Sequence, residues 1–174
     1  MKKALLLLLV GVTLFVSCGK DDDDQPAVKT KSEILVRTWE VQTAIVTLGT
    51  LPPVTGYIKG NPGPVLDMSK FRFEFKSNGD FVQTGIDGTQ VTGKWTLTDN
   101  DTKLTLTTAA LPAPDVWKAD NITEQNLDIS RDIAGNSTAP GDVYWKNLID
   151  TYGKALNLSS ANGVKIVIKT IPVK

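Results

Sequence analysis

Phe71-Arg72-Phe73-Glu74-Phe75-Lys76-Ser77-Asn78-Gly79-Asp80-Phe81 combines an alternating strand pattern with a tight-turn signal. Phe71, Phe73 and Phe75 alternate with Arg72, Glu74 and Lys76, a period of two that sends the rings to one face of a strand. Asn78-Gly79 is a hairpin signal, because both residues tolerate left-handed backbone. The next strand is expected over Phe81 to Ile86, and Asp87-Gly88 supplies a second turn. Val91, Gly93, Trp95 and Leu97 then alternate with Thr92, Lys94, Thr96 and Thr98. Asp99-Asn100-Asp101 turns the chain again, and Leu104 and Leu106 alternate with Lys103, Thr105 and Thr107. Four strands joined by tight turns have to be antiparallel neighbours, with one aromatic and aliphatic face and one polar face.

Upstream, Ile34 to Leu48 predicts a long strand with a helical turn at its start. Trp39, Val41, Thr43, Ile45 and Thr47 share one face; Glu40, Gln42, Ala44, Val46 and Leu48 share the other. The second face turns apolar towards its end, which implies a bend or burial on both sides. Gly49 to Asp67 is a Gly/Pro insertion whose prolines argue against a regular central strand. A loop of this length is either a lid, with Tyr57 and Ile58 folding back over an opening, or a plain surface excursion.

Downstream, Pro112 and Pro114 break a second loop over Ala109 to Asp115. Short strands are expected over Val116 to Ala119, with Trp117, and over Ile122 to Ser130, with Leu127 and Ile129 facing in. Arg131 to Gly141 is a third loop. Trp145, Leu148, Ile149 and Tyr152 have helical spacing after Pro140, with Asp142 as N-cap and Gly153 weakening the helix. Asn162-Gly163 turns into a last strand, Val164 to Ile171, which Pro172 stops. The sum is an all-β chain of about eight strands with one late helix. Up-and-down connections favour a closed antiparallel β-barrel, because closure removes exposed edges. Such a barrel is filled by side chains or holds one small ligand. A β-sandwich of the same strands is the alternative.

The chain has 174 residues, 19 basic and 19 acidic, one cysteine and no histidine. Without histidine there is no His-dependent triad and no imidazole metal ligand or general base. Removing residues 1–24 takes out three lysines and four aspartates, leaving 16 basic and 15 acidic residues. That near-neutral balance gives no electrostatic footprint for nucleic acid. With no cysteine after position 18, no internal disulfide supports the fold.

Residues 1–17 have the parts of an export signal: Lys2 and Lys3, an apolar run from Ala4 to Val16 that is short for a membrane span, and a small Ser17. Leu14-Phe15-Val16-Ser17-Cys18 resembles the lipobox of bacterial lipoproteins, in which the signal is cut before a Cys that carries acyl chains. Two such chains suffice for stable anchoring. Cys18-Gly19-Lys20-Asp21-Asp22-Asp23-Asp24 resembles the start of surface-exposed lipoproteins of Bacteroidota. That resemblance makes Lys20, Asp21, Asp22, Asp23 and Asp24 a surface-export signal. It implies an outer-membrane protein facing the cell exterior, or alternatively the periplasm. The four aspartates also repel one another and stay hydrated, so residues 18–32 read as a tether. The fourteen residues Gly19 to Ser32 reach about 45–50 Å when fully extended. The domain is then 33–174.

Leu35 to Trp39, the Phe71–Phe81 hairpin, Gly93-Lys94-Trp95-Thr96-Leu97 and Lys103-Leu104-Thr105-Leu106 together resemble the lipocalin-like lipoproteins of Bacteroidota. Arg37-Thr38-Trp39 stands where lipocalins proper carry Gly-x-Trp. The resemblance implies binding of small apolar molecules. On this reading Trp39, Phe71, Phe73, Phe75, Phe81 and Trp95 either line a ligand cavity or form the core, with Trp39 plugging one end.

Other motifs carry less. Gly88 to Lys94 has the skeleton of a phosphate-binding loop, but Trp95 stands where a magnesium-binding hydroxyl must be and the segment is a strand. Asp99-Asn100-Asp101 is a polar turn rather than a calcium site, which needs six to eight oxygens. Asn121-Ile122-Thr123 matches a glycosylation acceptor by chance. No cofactor or metal is expected. The expected role is a lipid-anchored envelope protein that binds a small apolar ligand or serves as a surface interaction module. One alternative is a structural or protein-binding lipoprotein with a filled core. The other is an envelope hydrolase using two converging carboxylates, one with a raised pKa.

Overall fold

The structure, a computed structural model, describes residues 28–61, 66–111, 113–154 and 159–174. The export signal over 1–17, Cys18, Lys20, Asp21 to Asp24 and the tether up to residue 27 lie outside the described residues.

α1 (Lys31–Leu35) begins at Thr30, whose hydroxyl accepts the Glu33 N–H while the Glu33 carboxylate accepts the Thr30 N–H. This reciprocal cap satisfies two otherwise orphan donors. Lys31 and Ser32, expected in the tether, are therefore helical. The strands follow as β1 (Thr38–Leu48), β2 (Val54–Ile58), β3 (Arg72–Phe75), β4 (Asp80–Thr84), β5 (Gln90–Thr98), β6 (Lys103–Thr108), β7 (Asp115–Ile122) and β8 (Leu127–Ile133). α2 (Pro140–Gly153) and a 3-10 turn (Ser160–Asn162) lead to β9 (Val164–Pro172).

β1, β3, β4, β5, β6, β7, β8 and β9 pair in that order, all antiparallel, and β9 pairs back to β1 from Trp39↔Pro172 to Leu48↔Val164. The sheet is thus a closed antiparallel barrel of eight strands, and the sandwich alternative is excluded. A ninth strand, β2, pairs with β1 beyond the point where β3 leaves it. This corrects the reading of Gly49 to Asp67 as loop throughout. Pro52 and Pro53 stop short of β2, and an edge strand needs only one ladder. Tyr57 is buried, as expected of a residue that folds back, whereas Ile58 is exposed.

Two other expectations are corrected. Ile122 to Ser130 is not one strand: Ile122 ends β7, and Thr123 and Asn126 bond across a turn before β8. Asp142 is not the N-cap of α2. Ala139 holds that position with Pro140 at the first helical residue, and the Asp142 carboxylate is drawn inward to Arg131.

The two apolar faces of β1 are reconciled by a bulge. Val41 pairs with Thr170 and Thr43 with Lys169, so Gln42 is the extra residue. One inserted residue flips the side-chain phase. Trp39 and Val41 face inward before it, and Ala44, Val46 and Leu48 face inward after it.

The hairpins at Asn78-Gly79 and Asp87-Gly88 are built alike. Gly79 and Gly88 sit at φ +80° and +89°, and the Asx side chain before each accepts the N–H of the residue after it. Gly93 is required for a different reason. A Cβ there would collide with the Thr107 carbonyl and lie 2.7 Å from Phe81 Cε1, so the Phe81 ring packs on bare backbone.

Candidate functional site

The barrel has a closed end and a mouth. At the closed end α1 packs under the start of β1. The Trp39 indole, fully buried, donates to the Leu35 carbonyl at 3.0 Å, and the Arg37 guanidinium lies 5.4 Å from its ring centre. Arg37 also donates to the Glu124 carbonyl in the β7–β8 turn, tying that end together.

Above Trp39 the aromatic stripe fills the interior. Phe71 meets Phe73 edge to face at 5.0 Å, Phe73 stacks on Phe75 at 6.0 Å, and Phe75 meets Phe81 and Trp95 at 6.4 and 5.6 Å. Phe73, Phe75 and Phe81 are at most 1% exposed. Trp95 is half-buried and donates to the Lys76 carbonyl. Rings at these separations attract one another beyond their area burial.

α2 lies across the mouth because it connects the end of β8 to the start of β9. Beneath it is a cavity of about 70 Å³ whose wall, among the described residues, is wholly apolar. Ala44 and Val46 of β1 and Ile166 and Ile168 of β9 form its floor. Val54 and Gly56 of β2 form one side with Leu66 and Met68. Trp145, Leu148, Ile149, Tyr152 and Gly153 of α2 form the roof. None of Trp39, Phe71, Phe73, Phe75, Phe81 and Trp95 is among these lining residues. Tyr152 is 40% exposed and marks the rim. Next to it, burial pushes the Tyr144 phenol above its ordinary pKa, and the Asp87 carboxylate and Tyr152 add to the shift.

A buried ionic cluster secures the start of α2. β7 and β8 pair from Lys118↔Ser130 to Ile122↔Leu127 and diverge above. Asp115 of β7 and Arg131 of β8 fill the gap. The Arg131 guanidinium pairs with Asp115 Oδ1 and donates to Asp142 Oδ1 from Nε at 2.9 Å and from Nη2 at 2.6 Å. Asp115 Oδ2 accepts the indole N–H of Trp117 at 3.0 Å and of Trp145 at 3.1 Å. Ser137 donates its hydroxyl to Asp142 Oδ2. Gly141 fits over the cluster because its missing Cβ would lie 3.0 Å from Arg131 Nη2 and 3.1 Å from Asp115 Oδ1.

Asp115 and Asp142 are thus two carboxylates that do converge, but on a shared cation and on donors that occupy them. Their geometry clamps the start of the helix to β7 and β8. Elsewhere, burial raises the Asp128 carboxyl above its ordinary pKa on the outer face of β8. Its neighbour Asp120 is held low, where hydrogen bonds from Lys118 and Ser130 outweigh the opposing effect of burial. These two acids are on the outside of the barrel wall. Among the described residues no group of three acidic, Cys or His side chains could hold a metal ion.

Sequence reasoning places the ligand site on the aromatic stripe and misses this one; the helical spacing of Trp145, Leu148, Ile149 and Tyr152, read there only as a helix, is the signal that could have found it. Ala44, Val46, Ile166 and Ile168 gave none beyond ordinary strand alternation.

No protein-family model matches the sequence, and no curated protein matches it. Among solved structures, similar chains include a lipocalin-like protein from Bacteroides uniformis, 11% identical with a TM-score of 0.37, covering 55% of this chain and 88% of that one. Another is an uncharacterized protein from Bacteroides eggerthii, 8% identical with a TM-score of 0.40, covering 79% of this chain and 98% of that one. The barrel itself is defined by the strand pairing described above.

Proposed function

We propose that this protein is a lipid-anchored envelope lipoprotein whose barrel binds the apolar end of a small molecule in the cavity beneath α2. The observation that carries the binding reading is the wall of that cavity, wholly apolar among the described residues and placed at the barrel mouth rather than deep in the core. An apolar cavity stays dry and gains by accepting a hydrocarbon group, whereas a polar one fills with water. Its volume is about half of the ~150 Å³ that accommodates benzene. The closed form therefore suits a slim, unbranched end such as an acyl terminus. Cys18 would carry the anchor, Lys20 and Asp21 to Asp24 would direct the domain to the outer face of the outer membrane, and no cofactor is needed.

Native mass spectrometry of protein purified from its own envelope, before and after solvent extraction, tests the reading. A discrete extra mass that extraction removes supports it. A bare mass, with no uptake of octanoic or lauric acid, sinks it. A second reading is favoured by the packed aromatic interior: a structural or protein-binding envelope lipoprotein whose loops make the contacts. It expects that bare mass and a copurifying protein.

A further inference from the structure

We infer that α2 is a strap, hinged at its first turns and latched near its end by Asp150, and that release of this one latch admits the ligand. The inference rests on the binding role proposed above and adds how the cavity opens.

The two halves of α2 are held differently. In the first half, Asp142 is gripped by Arg131 and Ser137, and the Trp145 indole by Asp115. The Lys146 ammonium donates to the carbonyls of Gly135 and Ser137 at 2.8 Å each. The cavity lies under the other half, whose Leu148, Ile149 and Tyr152 form most of the roof. There, among the described residues, the polar ties to the rest of the fold come down to one side chain. Asp150 Oδ1 accepts the Ser160 N–H at 2.7 Å, and its Oδ2 accepts the Ser160 hydroxyl at 2.8 Å.

The latch closes on a fixed post. Ser160 is buried, Gly163 donates to its carbonyl at 3.0 Å, and Gly49 donates to the Gly163 carbonyl at 2.9 Å. Gly135 packs so closely under the Ala161 carbonyl that a Cβ would collide with it. The floor of the cavity is equally fixed, because β1 and β9 are joined along their length. The pocket opens at its rim but holds only about 70 Å³, so seating more than a short hydrocarbon end inside it needs one wall to move. Among the described residues the second half of α2 is tied to the rest of the fold by the Asp150–Ser160 pair of bonds, and Tyr152 at its exposed rim marks the side on which the gap opens.

Hydrogen exchange on the ligand-free protein tests the strap without any ligand. Asp150→Ala removes two hydrogen bonds to a carboxylate, so amides 149–153 should exchange about 10- to 100-fold faster. Amides 142–146 and those of β1 and β9 should keep their rates. Ser160→Ala keeps the N–H bond and should give a smaller increase at the same amides. Stopped-flow binding of octanoic acid, followed by tryptophan fluorescence, should show faster association with Asp150→Ala than with the unaltered protein. Unchanged exchange at 149–153, or equal acceleration throughout α2 and the barrel, overturns the strap. Localised exchange with equal association rates overturns its role in admission. Localised exchange with no octanoic acid bound to either protein supports the hinge and latch and overturns the ligand reading on which admission rests.

Discussion

Arg131→Met is the perturbation that most directly tests what holds the barrel mouth together. The Arg131 side chain is 9% exposed and that of Asp115 is 7% exposed, so both charges have given up most of their water. The guanidinium bonds to two carboxylates and its carbon centre lies 5.9 Å from the Trp117 ring centre. Met preserves much of the apolar stem and removes the charge, leaving Asp115 with two indole donors and Asp142 with Ser137. Removing one partner of a buried pair destabilises by about 3–5 kcal/mol, because the other charge stays buried. Against a typical total of about 5–15 kcal/mol, that is a large fraction. At about 2–4 °C per kcal/mol for a domain of this size, the midpoint should fall by about 6–20 °C. Thermal unfolding followed by tryptophan fluorescence reads it, since Trp117 and Trp145 flank the cluster at 5.1 Å from each other. Adding Asp115→Asn keeps an oxygen for the indoles and removes the stranded charge, so the double variant should be more stable than Arg131→Met alone. A loss below about 1 kcal/mol, or simple additivity of the two changes, would refute the buried-pair account.

Gly93→Ala should destabilise by about 1–3 kcal/mol, the usual result of overpacking, because the new methyl group must displace the Phe81 ring or the Thr107 carbonyl; an unchanged urea midpoint would contradict the packing. Ala44→Leu puts three more carbon atoms into the cavity and should abolish octanoic acid uptake while leaving the barrel folded by circular dichroism; retained uptake would move the site elsewhere. Hydrogen bonds from Lys94 and then Asn78 to Asp80, and from Thr89 to Asp87, hold both carboxyls below the ordinary aspartate value of 3.8. Their contribution is therefore present above that value and is lost as pH falls through the lower folded values, so Asp80→Asn should flatten the acid limb of the stability curve. Asp128 has the opposite sign: burial raises its folded pKa, so its ionisation opposes folding as pH rises through that range, and Asp128→Asn should stabilise at neutral pH.

Much of the barrel was legible in the sequence because its evidence is local. The alternation in Phe71 to Phe75 and the glycines at 79 and 88 depend only on neighbours a few residues away, and each strand and turn follows from them. The burial of Trp39 at one end followed from the same pattern. The proposed export, lipid anchoring and surface display rest on sequence alone, in the stretch from Lys2 to Asp24, which lies outside the described residues. What required the tertiary structure was every feature set by contacts distant along the chain. The β1–β9 ladder closes the barrel and leaves Gln42 as the extra residue, which merges two half-apolar faces into one inner wall. β2 forms because β1 has a free edge beyond β3, a vacancy that its own proline-flanked sequence does not advertise. Asp115, Arg131 and Asp142 look like ordinary polar residues of strand, loop and helix until β7 and β8 diverge and place them together. The cavity likewise belongs to no segment. It is the space left where a helix of fixed curvature crosses the mouth of a twisted barrel, and no local pattern encodes such a misfit between surfaces.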